Sequence, residues 1–320
     1  GAFLDSYSGG SFADALAGAL PEAFGLLVQG AADEPVRLTV ADGDVTVESA
    51  TDLWGADAAE VDDALAGSVA CIGPAGEHEV AYATIASDGG DHHAGRGGAG
   101  AVMGAKRLKA VAVHGDPPEP TPELAALRER YDDAYRDDDT GRWQAAGETV
   151  ESVDFADEVG VLSTRGWQGG TFDDAGNIGV EAVREAATGR ENEDDAVPGG
   201  FRVEAGDGES VPRGGALMSL GAGLGVDDFD DVARLGSTCD LLGMDAISAG
   251  NAVAWVMRAS DAAAVDADID FGDADAAETL LEAIATRSTD LGDTLADGVE
   301  AARERYGADT VPTVKSMELP

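Results

Sequence analysis

A change of hydrophobic period at one proline-rich break constrains this chain more than any other feature. Before residue 116, apolar residues alternate or come in short β-branched bursts. After residue 122 they recur at three- and four-residue intervals. The break reads "DPPEPTP" (116–122), where proline removes backbone donors and stiffens the link. An α+β chain follows: a β-rich first domain over 1–115, incomplete at its start, and a mostly helical second domain over 116–320. A length of 320 residues suits two domains and a sizeable core.

The first part offers "FGLLVQG" (24–30), "VRLTVADGDVTVES" (36–49), "SVACIG" (68–73), "EVAYATIA" (79–86) and "KAVAVHG" (109–115) as strands, with a turn at "DGD" (42–44). "DAAEVDDALAG" (57–67) reads as a short helix capped by Asp57 and ended by Gly67. Past the break, helical spacing covers 122–136, and 229–260 reads as two helices broken around Gly243. Amphipathic helices follow over 274–290 and 291–307, the second ended by Gly307. The segment "AISAGNAVAWVM" (246–257) reads as ordinary buried helix, and 189–215 as a long polar loop. No internal repeat is evident.

Charge restricts the partners. There are 63 acidic and 20 basic residues, a net charge of -43, and lysine occurs only as Lys106, Lys109 and Lys315. The acid is mostly aspartate spread along a chain with regular apolar segments, which describes a folded protein with a carboxylate-coated surface. Salt screens the self-repulsion of such a surface, so the composition points to a halophilic cytoplasm. A basic patch for nucleic acid is missing. Cys71 and Cys239 form neither a disulfide framework nor a CxxC pair. The longest apolar runs are too short to span a bilayer, and no signal peptide is evident. The chain opens on Gly1 and closes on "VKSMELP", so it reads as a piece of a longer product.

The chemistry concentrates in "DHHAGRGGAGAVMGAKRLKAVAVHG" (91–115). A strand leads into a glycine-rich loop, a short helix and another strand. Backbone N–H groups at a helix start hold anions, glycines allow close approach, and Arg96 adds a planar donor fork. A phosphate-bearing ligand is the natural functional reading; tight helix-on-sheet packing is the structural one. Gly95, Gly97 and Gly100 also fit G-x-G-x-x-G, with Asp116 near the position of a ribose acid, so an NAD-dependent dehydrogenase is an alternative. Against it, "SDGGDHH" separates the glycines from their strand, and the helix is short. His92 and His93 fit loop histidines of a polar pocket better than metal ligands, since adjacent residues rarely face one ion; acid–base work near neutral pH is open to them.

"AGRGGAGAVMGAKRLKAVAVHG" (94–115) strongly resembles the signature of the tungsten-dependent aldehyde ferredoxin oxidoreductases. "SGGSF" (8–12), "CIGPAGE" (71–77), "LGAGLGVDDF" (220–229), "CDLLGMDAISAGN" (239–251) and "VKSMELP" (314–320) resemble further family segments, in order. The resemblance implies a bis-pterin tungsten or molybdenum cofactor without protein ligands to the metal, and a [4Fe-4S] cluster passing electrons to ferredoxin. It implies oxidation of a small aldehyde to a carboxylate, and a homodimer or a partner subunit. Ser8, Gly9, Gly10, His92, His93, Arg96 and Gly97 would lie at the pterin phosphates. Backbone carbonyls of Tyr7 and His93 would reach a pterin-bridging magnesium. "DLLGMD" (240–245) matches the family's D-x-x-G-[LM]-[DC] motif, so Asp240, Met244 and Asp245 would meet a pterin, Asp240 accepting from its amine.

The departures are equally specific. The family carries C-x2-C-x3-C before the "LGAGLG" stretch; the matching positions here are Glu193, Ala196 and Gly200, so no cluster ligand is expected. A family Tyr-Glu pair, with the Glu tied to proton transfer, falls on Gly214 and Gly215. A family asparagine is Tyr7, and a loop arginine is His92. The third domain is expected to be absent. A non-catalytic relative, either a cofactor binder or a partner subunit, is therefore the second reading beside the oxidoreductase. The sequence carries no signal for which aldehyde is used, or for tungsten over molybdenum.

Overall fold

The computed structural model describes residues 5–206, 208–308, 311–314 and 317–319. Lys315, Ser316 and Pro320 of the "VKSMELP" segment lie outside the described residues. In the first part, helix α1 (Phe12–Ala19) precedes β1 (Val36–Ala41), β2 (Asp44–Ser49), α2 (Ala58–Ala64), β3 (Ser68–Cys71) and α3 (Pro74–Glu77). Then come β4 (Ile85–Ser87), β5 (His92–Ala94), α4 (Ala99–Ala105) and β6 (Leu108–His114). The strands form one six-stranded sheet, ordered β2-β1-β6-β3-β4-β5. Only the β1–β6 pairing is parallel.

The hairpin expected over 36–49 forms, turning at Asp42 and Gly43. Central strand β6 is buried on both faces: Val111 and Val113 enter one core, Ala110 and Ala112 another. Asp57 caps α2 in a reciprocal capping box with Glu60, as its position predicts. The helix stops before Gly67, at Leu65.

After the break come α5 (Pro122–Asp137), α6 (Asp139–Gly147), α7 (Glu151–Glu158) and α8 (Val180–Ala186). A small sheet of β7 (Ala187–Arg190), β8 (Phe201–Ala205) and β9 (Gly208–Ser210) follows. Helix α9 (Gly214–Ala216) runs on as a π-helical turn over Leu217–Ala222. Helices α10 (Phe229–Leu242), α11 (Ala246–Asp261), α12 (Ala274–Thr286), α13 (Asp290–Ala296) and α14 (Val299–Tyr306) complete the helical part, and a short hairpin pairs β10 (Thr313–Val314) with β11 (Met317–Glu318). The main core gathers around α11, where Trp255 is fully buried and donates to the Ala308 carbonyl at 3.0 Å. Among the described residues no helix is long and apolar enough to cross a membrane.

Four local expectations fail, each for a physical reason. "FGLLVQG" joins no ladder: Leu26 and Val28 pack on the core while Phe24 and Leu27 stay exposed. "EVAYATIA" supplies only Ile85 and Ala86 to β4, because residues 82–84 pair instead with the α10–α11 connection. The "long polar loop" holds the end of β7 and all of β8 and β9, since Phe201, Val203 and Ala205 bury alternate side chains among the polar residues. The helix expected over 291–307 is two, broken at Gly298, whose φ is 97°.

Candidate functional site

The elbow between α10 and α11 carries "DLLGMD". Gly243 ends α10 in the left-handed region (φ 74°), and a Cβ there would lie 2.9 Å from Gly73 N. Backbone bonds stitch the elbow to the first part: Thr84 N donates to Gly243 O at 2.8 Å, and Asp245 N to Tyr82 O at 3.0 Å. Asp245 also caps α11, accepting from Ser248 N at 3.2 Å. These bonds aim Asp240, Met244 and Asp245 toward the loop that holds His92 and His93.

His93 is held on both ring nitrogens. Its Nε2 donates to the Gly90 carbonyl at 2.8 Å, which can only accept, so Nδ1 accepts from the Thr84 hydroxyl at 2.8 Å. Burial pushes its pKa down to about 4, so the ring is neutral at physiological pH. Asp240 Oδ1 stands 3.4 Å from the same Nε2. Protein closes round Asp240 although 32 % of its side chain stays accessible in the cavity it lines; this burial, and the charge of Asp91, push its pKa up to about 8. His92 faces Asp88 (Nδ1 to Oδ2 3.3 Å) and Glu191 (Nε2 to Oε1 3.8 Å), and the Asp88 carboxylate raises its pKa.

A cavity of about 470 Å³ lies between this loop and the elbow. Gly9, His92, His93, Asp240, Met244 and Asp245 all line it, so stretches more than 140 residues apart in sequence meet there. Gly10 stands against Asp88 and His92. Arg96 sits behind the wall, its Nε 3.5 Å from Asp245 Oδ2 and its Nη2 donating to the Glu318 carbonyl. Ser8 lines a neighbouring apolar groove that shares Gly9 with the cavity. Tyr7 is exposed, and Gly97 lines none of the described cavities. His92 Nδ1 and Arg96 Nε are buried against the carboxylates of Asp88 and Asp245, at 3.3 and 3.5 Å. Sequence reasoning missed Arg213, Glu148, Asp91 and Thr84 on the cavity wall.

The dinucleotide alternative does not match the fold. Its fingerprint needs a helix crossing between parallel strands. Here β5 and β6 run antiparallel with β4 and β3 between them, and α4 has seven residues. Nor do the chain's own residues fit an iron–sulfur cluster. The two cysteines lie in separate cores, and burial pushes the Cys71 thiol up to about 12 and the Cys239 thiol well above its usual value. Among the described residues no three His, Cys, Asp or Glu side chains form a metal-binding group.

This sheet, elbow and cavity define an α+β fold, a sheet-bearing part followed by a helical one, and comparison places it. The chain belongs to the aldehyde ferredoxin oxidoreductase family: the N-terminal domain model matches residues 1–115, and the model of domains 2 and 3 matches residues 126–320. The tungsten-containing aldehyde ferredoxin oxidoreductase of Thermococcus kodakarensis is 33% identical over 318 residues, and that of Pyrococcus furiosus 32% over 320; each match covers 92% of this chain and 52% of the relative. The chain thus spans about half the length of the curated relatives it matches. An active-site complex of benzoyl coenzyme A reductase shares the fold, with a TM-score of 0.74 at 22% identity over 91% of this chain and 49% of that one.

Proposed function

We propose that this chain carries the pterin-holding part of an oxidoreductase that converts small aldehydes to carboxylates at a bis-pterin tungsten centre. The carrying observation is that the His92–His93 loop and the "DLLGMD" elbow line one cavity. The loop offers a pterin phosphate the His92 ring and open space beside Gly95 at the cavity wall, with Arg96 behind that wall against Asp245. Asp240 and Asp245 would accept from pterin N–H groups, and such donors favour the ionised form of Asp240 that burial disfavours. Gly9 on the cavity wall and Gly10 beside His92 would lie at the phosphates, with the His93 carbonyl toward a magnesium; Ser8, Gly97 and Tyr7, off that wall, would join them by the family resemblance alone. The metal centre, when bound, supplies the two-electron oxidation; the residues here bind and orient its pterins. Ferredoxin is the family's acceptor and a partner by analogy.

A second reading has its own support. Gly215, at the family's proton-transfer glutamate, lines the cavity beside Ile247 and offers no acid or base. A cofactor-holding subunit without turnover fits that wall. The test is elemental analysis of protein purified anaerobically in high salt, followed by aldehyde oxidation with an artificial acceptor. Stoichiometric tungsten or molybdenum with turnover supports the oxidoreductase. Metal without turnover favours the subunit, and absence of both metals overturns the pterin reading.

A further inference from the structure

The segment where the family resemblance places three cluster cysteines is refilled, not merely stripped. Glu193, Ala196 and Gly200 fall in the connection between β7 and β8. A Cβ on Gly200 would lie 2.3 Å from Val211 Cγ1 and 2.6 Å from Arg213 Nη1, so the guanidinium occupies the side-chain space of that position. Arg213 Nη2 donates to Glu191 Oε2 at 2.7 Å, and Gly200 N donates to the same oxygen at 3.1 Å. The Glu191 side chain is 7% accessible, and its other oxygen faces His92 Nε2 at 3.8 Å. Arg213 Nη1 continues to Glu148 Oε1 at 3.3 Å. Asp88, His92, Glu191, Arg213 and Glu148 thus form a row in which carboxylates alternate with nitrogen-bearing side chains; His92, Arg213 and Glu148 line the cavity, and Asp88 and Glu191 stand behind them.

We propose that Glu191 and Arg213 form an ion-pair latch in the place of the iron–sulfur cluster, tying the β7–β8 connection to the segment after β9 beside the cavity, without iron. The inference rests on the family reading for where a cluster would sit. Glu191 acts as a positioning residue: it touches no reacting atom but holds the wall that His92 shares.

The test is amide hydrogen exchange on the metal-free chain in high salt, for wild type, Glu191→Gln, Arg213→Met and the double variant. Each single variant is expected to speed exchange over residues 187–205 about tenfold and to leave α11 unchanged, because the latch opens one local unit. The double variant should exchange no faster than either single one, since the two residues act as a pair. Unchanged exchange over 187–205 in both single variants overturns the latch. So does stoichiometric cluster assembly when the wild-type chain is reconstituted with ferrous iron and sulfide. Where Arg213→Met does not fold, Arg213→Lys keeps the charge, loses the two-pronged reach and is expected to shift exchange the same way. Loss of the tungsten reading would leave these exchange results untouched, so the two failures are distinguishable.

Discussion

Lys109 and Glu77 hide a full ion pair inside the first part, with side-chain accessibilities of 0% and 1%. Lys109 Nζ also donates to the Ala56 carbonyl at 2.7 Å, and Gly55 N donates to both Glu77 oxygens at 2.9 and 2.8 Å. Lys109→Met leaves a buried carboxylate without its cation and should cost about 3–5 kcal/mol in urea unfolding. Lys109→Met with Glu77→Leu should recover part of that loss; a double variant as unstable as the single would refute the pairing argument. Asp88 carries a pH prediction. His92, then Ser11, hold its carboxyl down to about 2. A depressed carboxyl stabilises the fold above its unfolded value near 4 and loses that contribution as pH falls toward 2. Asp88→Asn should therefore destabilise at neutral pH by about 1 kcal/mol, discounted for partial exposure, and should flatten the acid limb between about pH 4 and 2. An unchanged limb would remove Asp88 from the argument. His92, His93, Asp240, Met244 and Asp245, which line one cavity, stand in local motifs that the sequence displays. Glu191, Arg213 and Glu148 do not: single charges in a chain rich in acid have no spacing that marks them until the fold brings them together.

At the scale of elements, the α10–α11 elbow is the most informative. Gly243 was legible as a break because a left-handed residue between two helical patterns favours glycine, and that is its conformation. Gly243→Ala must adopt a left-handed backbone 2.9 Å from Gly73 N, at a cost of about 1–2 kcal/mol for the conformation alone. The substitution should lower thermal stability and, on the proposed pterin reading, also shift Asp240 and Asp245 so that less tungsten or molybdenum survives purification. Full metal retention in a destabilised variant would separate the elbow from cofactor binding. Periodicity located the hairpin, α2, α5, α10 and α11 because their signals lie within one element. It failed where pairing is decided at a distance. "FGLLVQG" has the composition of a strand but no ladder partner, and residues 82–84 trade the sheet for the elbow. The β7–β9 sheet was hidden because its alternating core positions are few and interrupted by glycine and acid.

For the whole molecule, the decisive quantity is a net charge of -43 with only 20 basic residues. Those basic groups are largely committed to local pairs: Arg234 alone faces Asp231, Asp275 and Glu278, and Arg287 faces Asp293 and Asp297. Most carboxylates therefore meet only solvent and one another. Few enter the interior, where Glu77, Glu191, Asp245 and Glu318 have buried side chains. The repulsion is a surface property, and surface charges respond to salt. Raising KCl from about 0.1 M to 1 M shortens the screening length from about 10 to about 3 Å. The melting temperature should then rise by about 10 °C, as a few kcal/mol would produce in a chain of this size. Lys109→Met should keep its full deficit at every salt concentration, because water and ions do not reach that pair. Sucrose provides the control, since it favours compact states without screening charge. A rise in KCl that sucrose does not match assigns the effect to screening of the acidic surface. A flat KCl profile would mean that the carboxylates are spaced widely enough not to oppose folding, and that the composition serves solubility alone.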